Sequence, residues 1–219
     1  MTDADLVEKT IAYIKETLKG AEGGHDWFHT QRVFKNTLRL ARDEPVDLLV
    51  VSLAALLHDV ADAKFHGGDE KAGPKKARKF LNSLKIPKKT VAAVVKIVEH
   101  ISFKNELSKS KKRYYSKELA LVRDADRLDA IGAIGIARAF NYGGYRGRPL
   151  YDPDIAPKLK MSKSEYKKSE GPTINHFYEK LLLLKDGMQT NTGKRLAEER
   201  HAFMLHFLEQ FYKEWEGTP

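Results

Sequence analysis

The sequence predicts an all-α, single-domain bundle, and three observations predict it. Apolar residues recur at three- and four-residue spacing along most of the 219 residues. No segment shows the alternation of a half-buried strand. No repeat, linker or break in composition divides the chain, so one domain is expected over 1–219, with its core at about 20–140 and C-terminal helices at about 173–216 packed on it.

The elements follow in order. Leu6, Val7, Ile11, Ile14 and Leu18 mark a first helix, stopped by Gly20. Residues 20–27 read as a glycine-rich loop, and a second helix runs over about 28–42. Pro45 sits where a third would begin, and residues 46–57 are apolar nearly all round, so that helix should be buried. After a break at His66-Gly67-Gly68, a helix over about 70–84 carries its stripe on Ala77, Phe80, Leu81 and Leu84. Pro87 opens another, with Val91, Val94, Val95 and Val98 as its core face. The basic stretch 104–117 reads as a loop before one long helix over 118–140. Glycines and prolines punctuate 141–172, a length of irregular chain that is usually functional or mobile. Helices over about 173–185 and 190–215 close the chain, the last with a stripe of Leu196, Phe203, Phe207, Phe211 and Trp215.

Composition narrows the class. Hydrophobic residues make up 42% of the chain, which excludes a disordered polymer. No apolar run is long enough to span a bilayer. The acidic start, Met1-Thr2-Asp3-Ala4-Asp5, is unlike a signal peptide, and there is no cysteine for disulfides or thiolate ligands. These features predict a cytoplasmic protein with no membrane partner. The net charge of +9 favours polyanionic partners, nucleic acid or phosphorylated metabolites among them, although solvated helix faces account for most lysines. Oligomeric state is not legible.

The informative residues are polar groups on faces that should be apolar. His29 shares a helix face with Val33 and Leu40. His58-Asp59 closes the most hydrophobic helix. At about 100° per residue, Asp126 and Asp129 fall on the side of Val122 and Ala133, with Asp124 nearly opposite. Burying an ionised carboxylate costs several kcal/mol unless it is paired or bound to a metal. Two imidazoles and two carboxylates suit a divalent ion of the Mn, Fe, Co, Ni or Zn type. Four protein ligands would leave an octahedral ion two positions for water and substrate. Such an ion lowers the pKa of bound water to about 7 and polarises a phosphoryl oxygen. Each residue alone has a plainer reading, as a hydrogen-bonded core histidine or an ion-pair partner of Arg32 or Arg127.

Together they resemble the HD-domain superfamily of metal-dependent phosphohydrolases, whose signature is a His, a His-Asp pair and a distant Asp. The stretches concerned are His25-Asp26-Trp27-Phe28-His29-Thr30-Gln31-Arg32-Val33, Ala55-Leu56-Leu57-His58-Asp59-Val60, and Asp124-Ala125-Asp126-Arg127-Leu128-Asp129. The resemblance implies an HD-type helical bundle with His29, His58, Asp59 and Asp126 as metal ligands. It extends through residues 130–140, 174–184 and the aromatic C-terminal helix to small bacterial HD hydrolases, the YedJ- and YpgQ-like subgroup. That subgroup implies hydrolysis of (deoxy)nucleoside triphosphates to monophosphate and pyrophosphate, with Mn favoured among the possible metals.

Only His66 and His100 fall between the pair and the final Asp, which favours a single ion over the two or three of histidine-richer relatives. Asp62-Ala63 stands where the alarmone hydrolases of the family carry Glu-Asp, which argues against that substrate class. By resemblance, Asp62 is the general acid/base. Arg32, one turn after His29, and Lys104 are candidates for phosphate, and His100 for the pocket; Lys160, Lys163, Lys167 and Lys168 could steer a triphosphate. His25 and Asp26 are expected to orient His29, and Arg127 to hold a neighbouring helix through an ion pair. The competing readings are a phosphatase or phosphodiesterase acting on other small phosphate esters, and a basic nucleic-acid-binding module. The last is disfavoured by the absence of any helix-turn-helix, zinc-finger or RNA-binding signature.

Overall fold

A computed structural model describes the chain except residues 22–23, 62–68, 70, 102–113, 163–164, 166–169 and 218–219. The described residues are helical, with no strand among them. They cluster into two compact units, Met1–Asp126 and Arg127–Pro219. Among the described residues no helix is long and apolar enough to cross a membrane.

In the first unit, α1 (Asp3–Thr17) starts at a capping box in which Thr2 and Asp5 satisfy each other's backbone N–H groups. It buries Leu6, Thr10 and Ile14. Asp26 caps α2 (Trp27–Leu40), its Oδ1 accepting from the His29 N–H at 2.8 Å. A single 3-10 turn, Ala41–Asp43, follows. Helix α3 (Leu48–Leu57) begins at Asp47, which accepts from the Val50 N–H, so Pro45 lies ahead of the cap rather than inside the helix. From Val50 to Leu57 every residue of α3 is buried. At about 1.5–3 kcal/mol per buried leucine or valine, this helix anchors the unit. It is packed by α1, α2 and α5 (Lys88–His100), and α4 (Ala72–Ser83) lies on α5. The expected break at residues 66–68, and most of the 104–117 loop, lie outside the described residues.

The expected 118–140 helix is two helices, α6 (Lys117–Asp129) and α7 (Gly132–Tyr145). The break falls where Gly132 adopts φ +74°, a left-handed conformation that glycine tolerates and other residues resist. A Cβ there would stand 2.9 Å from Arg200 Cγ. The apolar run hides the break because residues on both sides are helical and greasy. Helix α7 also reaches further than expected, to Tyr145.

In the second unit, α8 (Thr173–Glu179) gives way to a 3-10 stretch, Leu181–Gly187, so the expected 173–185 helix is only half α. The final helix, α9 (Asn191–Glu216), packs on α7 and the 3-10 stretch. Its buried face is Gly193, Leu196, Ala197, Met204 and Leu208. Phe203 and Trp215, expected in that stripe, are 52% and 46% exposed. Phe207 stacks on Phe177, and Phe211 and Trp215 pack around Tyr151, so the rings form a lateral ladder beside the buried face.

Candidate metal centre

Three helices of the first unit bring the site together. Helix α2 carries His29 on the buried face that also holds Val33, Thr37 and Leu40. His58 caps the C-terminus of α3, and Asp59 follows it into a turn. Asp126 comes from the last turns of α6. His29 Nε2 lies 3.1 Å from His58 Nε2. Asp59 Oδ2 is 3.5 Å from each of these nitrogens. Asp126 Oδ1 is 3.6 Å from His29 Nε2 and 3.8 Å from His58 Nε2. Each carboxylate named from the sequence, Asp59 and Asp126, therefore lies within 3.8 Å of both imidazole nitrogens.

The chemistry of the donors fits a divalent ion. His58 Nδ1 lies 2.8 Å from the Ala55 carbonyl, which can only accept, so Nδ1 carries the proton and the Nε2 lone pair faces the cluster. This carbonyl–imidazole pairing is the usual support of a metal-bound histidine. Donor atoms about 2.1 Å from a shared ion stand roughly 3.0–3.5 Å apart at octahedral or tetrahedral angles, close to the spacings found here. Burial alone would push the Asp59 carboxyl up, but His58, His25 and His29 around it hold it well below the usual carboxylate range. It is thus a negative oxygen held among imidazoles. Side-chain exposure rises from 1% at the two histidines to 18% at Asp59 and 36% at Asp126, so the cluster opens to solvent along its Asp126 edge.

Asp26 and His25, expected to orient His29, both touch it: Asp26 through the His29 backbone N–H, and His25 with its ring edge-on to the His29 ring. His25 Nδ1 also reaches Asp59 Oδ2 at 2.8 Å. Among the described residues, His/Asp groups with donor atoms within 4.8 Å of one another are His29–His58–Asp126 and His25–His29–Asp59. The contact from His25 to Asp59 spans 34 positions, and the only trace of it in the sequence is a second histidine one turn before His29.

Asp124 departs from expectation. It is fully buried, as is Asp129, because α6 is covered on nearly every side and has no solvent face for Asp124 to occupy. Asp129 is paired with Arg138 at 2.8 Å. Arg127 is buried and donates to the Gly187 carbonyl. Arg32 lies half-buried on α2. His100 ends α5 with Nδ1 2.9 Å from the Lys96 carbonyl and its ring against Tyr114, outside both donor groups. Asp62, Lys104, His66, Lys163, Lys167 and Lys168 lie outside the described residues.

Residues 27–131 match the HD domain. The YpgQ protein of Bacillus subtilis is 36% identical over 217 residues, 99% of this chain and 97% of YpgQ. A Lactobacillus plantarum protein of known structure superposes with a TM-score of 0.84 at 40% identity, covering 99% of this chain and 100% of that one. An HD-superfamily hydrolase of Bacillus thuringiensis superposes at 0.77 with 43% identity, covering 98% and 99%. YpgQ itself has been crystallised with ADP, and that structure superposes at 0.76 with 34% identity, covering 98% and 97%.

Proposed function

This chain belongs to the HD-domain superfamily of metal-dependent phosphohydrolases, and from that premise we propose that it hydrolyses (deoxy)nucleoside triphosphates to monophosphate and pyrophosphate. The observation that carries the reading is the His29–His58 pair flanked by the carboxylates of Asp59 and Asp126, the latter part-exposed, with the His58 lone pair turned inward. These four side chains hold one divalent ion, with Mn favoured. When bound, it supplies a Lewis acid for the phosphoryl oxygens and activates water.

The rest of the work falls to the chain. Water attacks the α-phosphorus and pyrophosphate leaves. Asp62, three residues after Asp59, moves the proton. Arg32, one turn along α2 from His29, and Lys104 take the charge of the β- and γ-phosphates. His100 can add only Nε2 to that set, since Nδ1 is committed to Lys96. The nucleotide part of the reading is supported by the ADP complex of YpgQ. Phosphorus NMR of the products formed from a deoxynucleoside triphosphate and Mn²⁺ tests the whole. Pyrophosphate with monophosphate is expected. A nucleoside with intact triphosphate, or phosphate released from a monophosphate, overturns it in favour of other phosphate-ester chemistry.

A further inference from the structure

The cluster contains one more histidine than the four-donor set uses. His25 Nδ1 approaches Asp59 Oδ2 to 2.8 Å, closer than His29 or His58 Nε2, each at 3.5 Å. Three imidazoles therefore meet at a single carboxylate oxygen. An ionised carboxylate only accepts, so His25 is the donor and its proton sits on Nδ1. The chain delivers it there by local geometry. With Asp26 capping α2 through the His29 N–H, His25 stands just ahead of the helix, its ring edge-on to His29 with centroids 5.9 Å apart. At 20% side-chain exposure it belongs to the rim of the site rather than to the core.

Resting on the reading of this cluster as a metal centre, we propose that His25 is a positioning residue. Its Nδ1–H holds Asp59 Oδ2 toward the His29–His58 pair, so that ion affinity depends on a histidine outside the four ligands. A carboxylate on a short stem can rotate about its Cβ–Cγ bond and turn either oxygen to the ion. A donor fixed on one oxygen removes that freedom before the ion arrives. Outer partners of this kind contribute about 10–100-fold to metal affinity.

Calorimetric titration of chelator-stripped protein with Mn²⁺ alone tests the proposal without reference to turnover. His25→Ala is expected to weaken binding by about 10–100-fold, and His25→Asn, whose amide donates from nearly the same place as Nδ1, to recover most of it. Repeated with the tighter-binding Zn²⁺, His25→Ala in an Asp59→Ala background should cause no further loss, because the residue acts through Asp59. Unchanged affinity in His25→Ala, or an equal loss without Asp59, overturns the proposal. So does X-ray absorption showing one nitrogen donor fewer in His25→Ala, which would make His25 a ligand. Failure of the wild-type protein to bind either ion overturns the metal reading and this proposal together. Ion binding without triphosphate hydrolysis overturns only the proposed reaction.

Discussion

The Nε2 atoms of His29 and His58 stand 3.1 Å apart, although one sits on α2 and the other ends α3. Two ring nitrogens this close repel if both present lone pairs, and a proton or a cation between them removes the repulsion. His58 has already given its proton-bearing nitrogen to the Ala55 carbonyl. Replacing either histidine by alanine is therefore expected to reduce bound ion from about one per chain to near zero. With several kcal/mol of transition-state stabilisation gone, turnover should fall about 10³-fold or more. Elemental analysis after gel filtration, with steady-state rates in Mn²⁺, checks both.

Asp62→Asn separates proton transfer from ion binding. The ion should remain while kcat falls by about 10²–10⁴, the range for a lost general acid or base. Full activity in this variant would make Asp62 a bystander.

Asp124→Ala should lower stability. The carboxylate is fully buried and partnered, so its removal leaves buried polar groups unsatisfied, at a cost of about 1–3 kcal/mol. A urea midpoint for the ion-free protein equal to wild type would contradict this.

Gly132 and Gly147 offer a matched comparison. Both have positive φ, +74° and +64°, so alanine at either costs about 1–2 kcal/mol of backbone strain. Only Gly132 adds an overlap, with Arg200, whereas nothing lies within 4 Å of a Cβ at Gly147. Gly132→Ala should therefore lower the thermal midpoint distinctly more than Gly147→Ala. Equal shifts would mean that the Arg200 side chain moves aside freely.

Much of the centre is legible in the sequence because a polar residue on an apolar helix face is conspicuous. His29 stands out against Val33 and Leu40, and His58-Asp59 against the run before it. That contrast vanishes where a helix has no polar face. On α6, buried on nearly all sides, helical phase says nothing about which aspartate faces water, and Asp124 is as deeply buried as Asp129. The α6–α7 break hinges on one backbone angle at Gly132, in a sequence where Gly135 sits in similar company. The exposure of Phe203 and Trp215 follows from ring-to-ring packing, which a single-helix pattern does not encode.

The all-round burial of α3 makes its length matter as much as its composition. An inserted residue between Val50 and Leu57 would leave the segment helical and apolar, yet swing His58 and Asp59 by about 100° about the axis. The segment would stay apolar on every side while the donors turned away from His29. The same insertion between Glu44 and Val46, ahead of the Asp47 cap, leaves the helix in phase. Exchanges among leucine, valine and alanine along α3 change packing by degrees, but a change in the number of its residues disconnects the bundle from its chemistry.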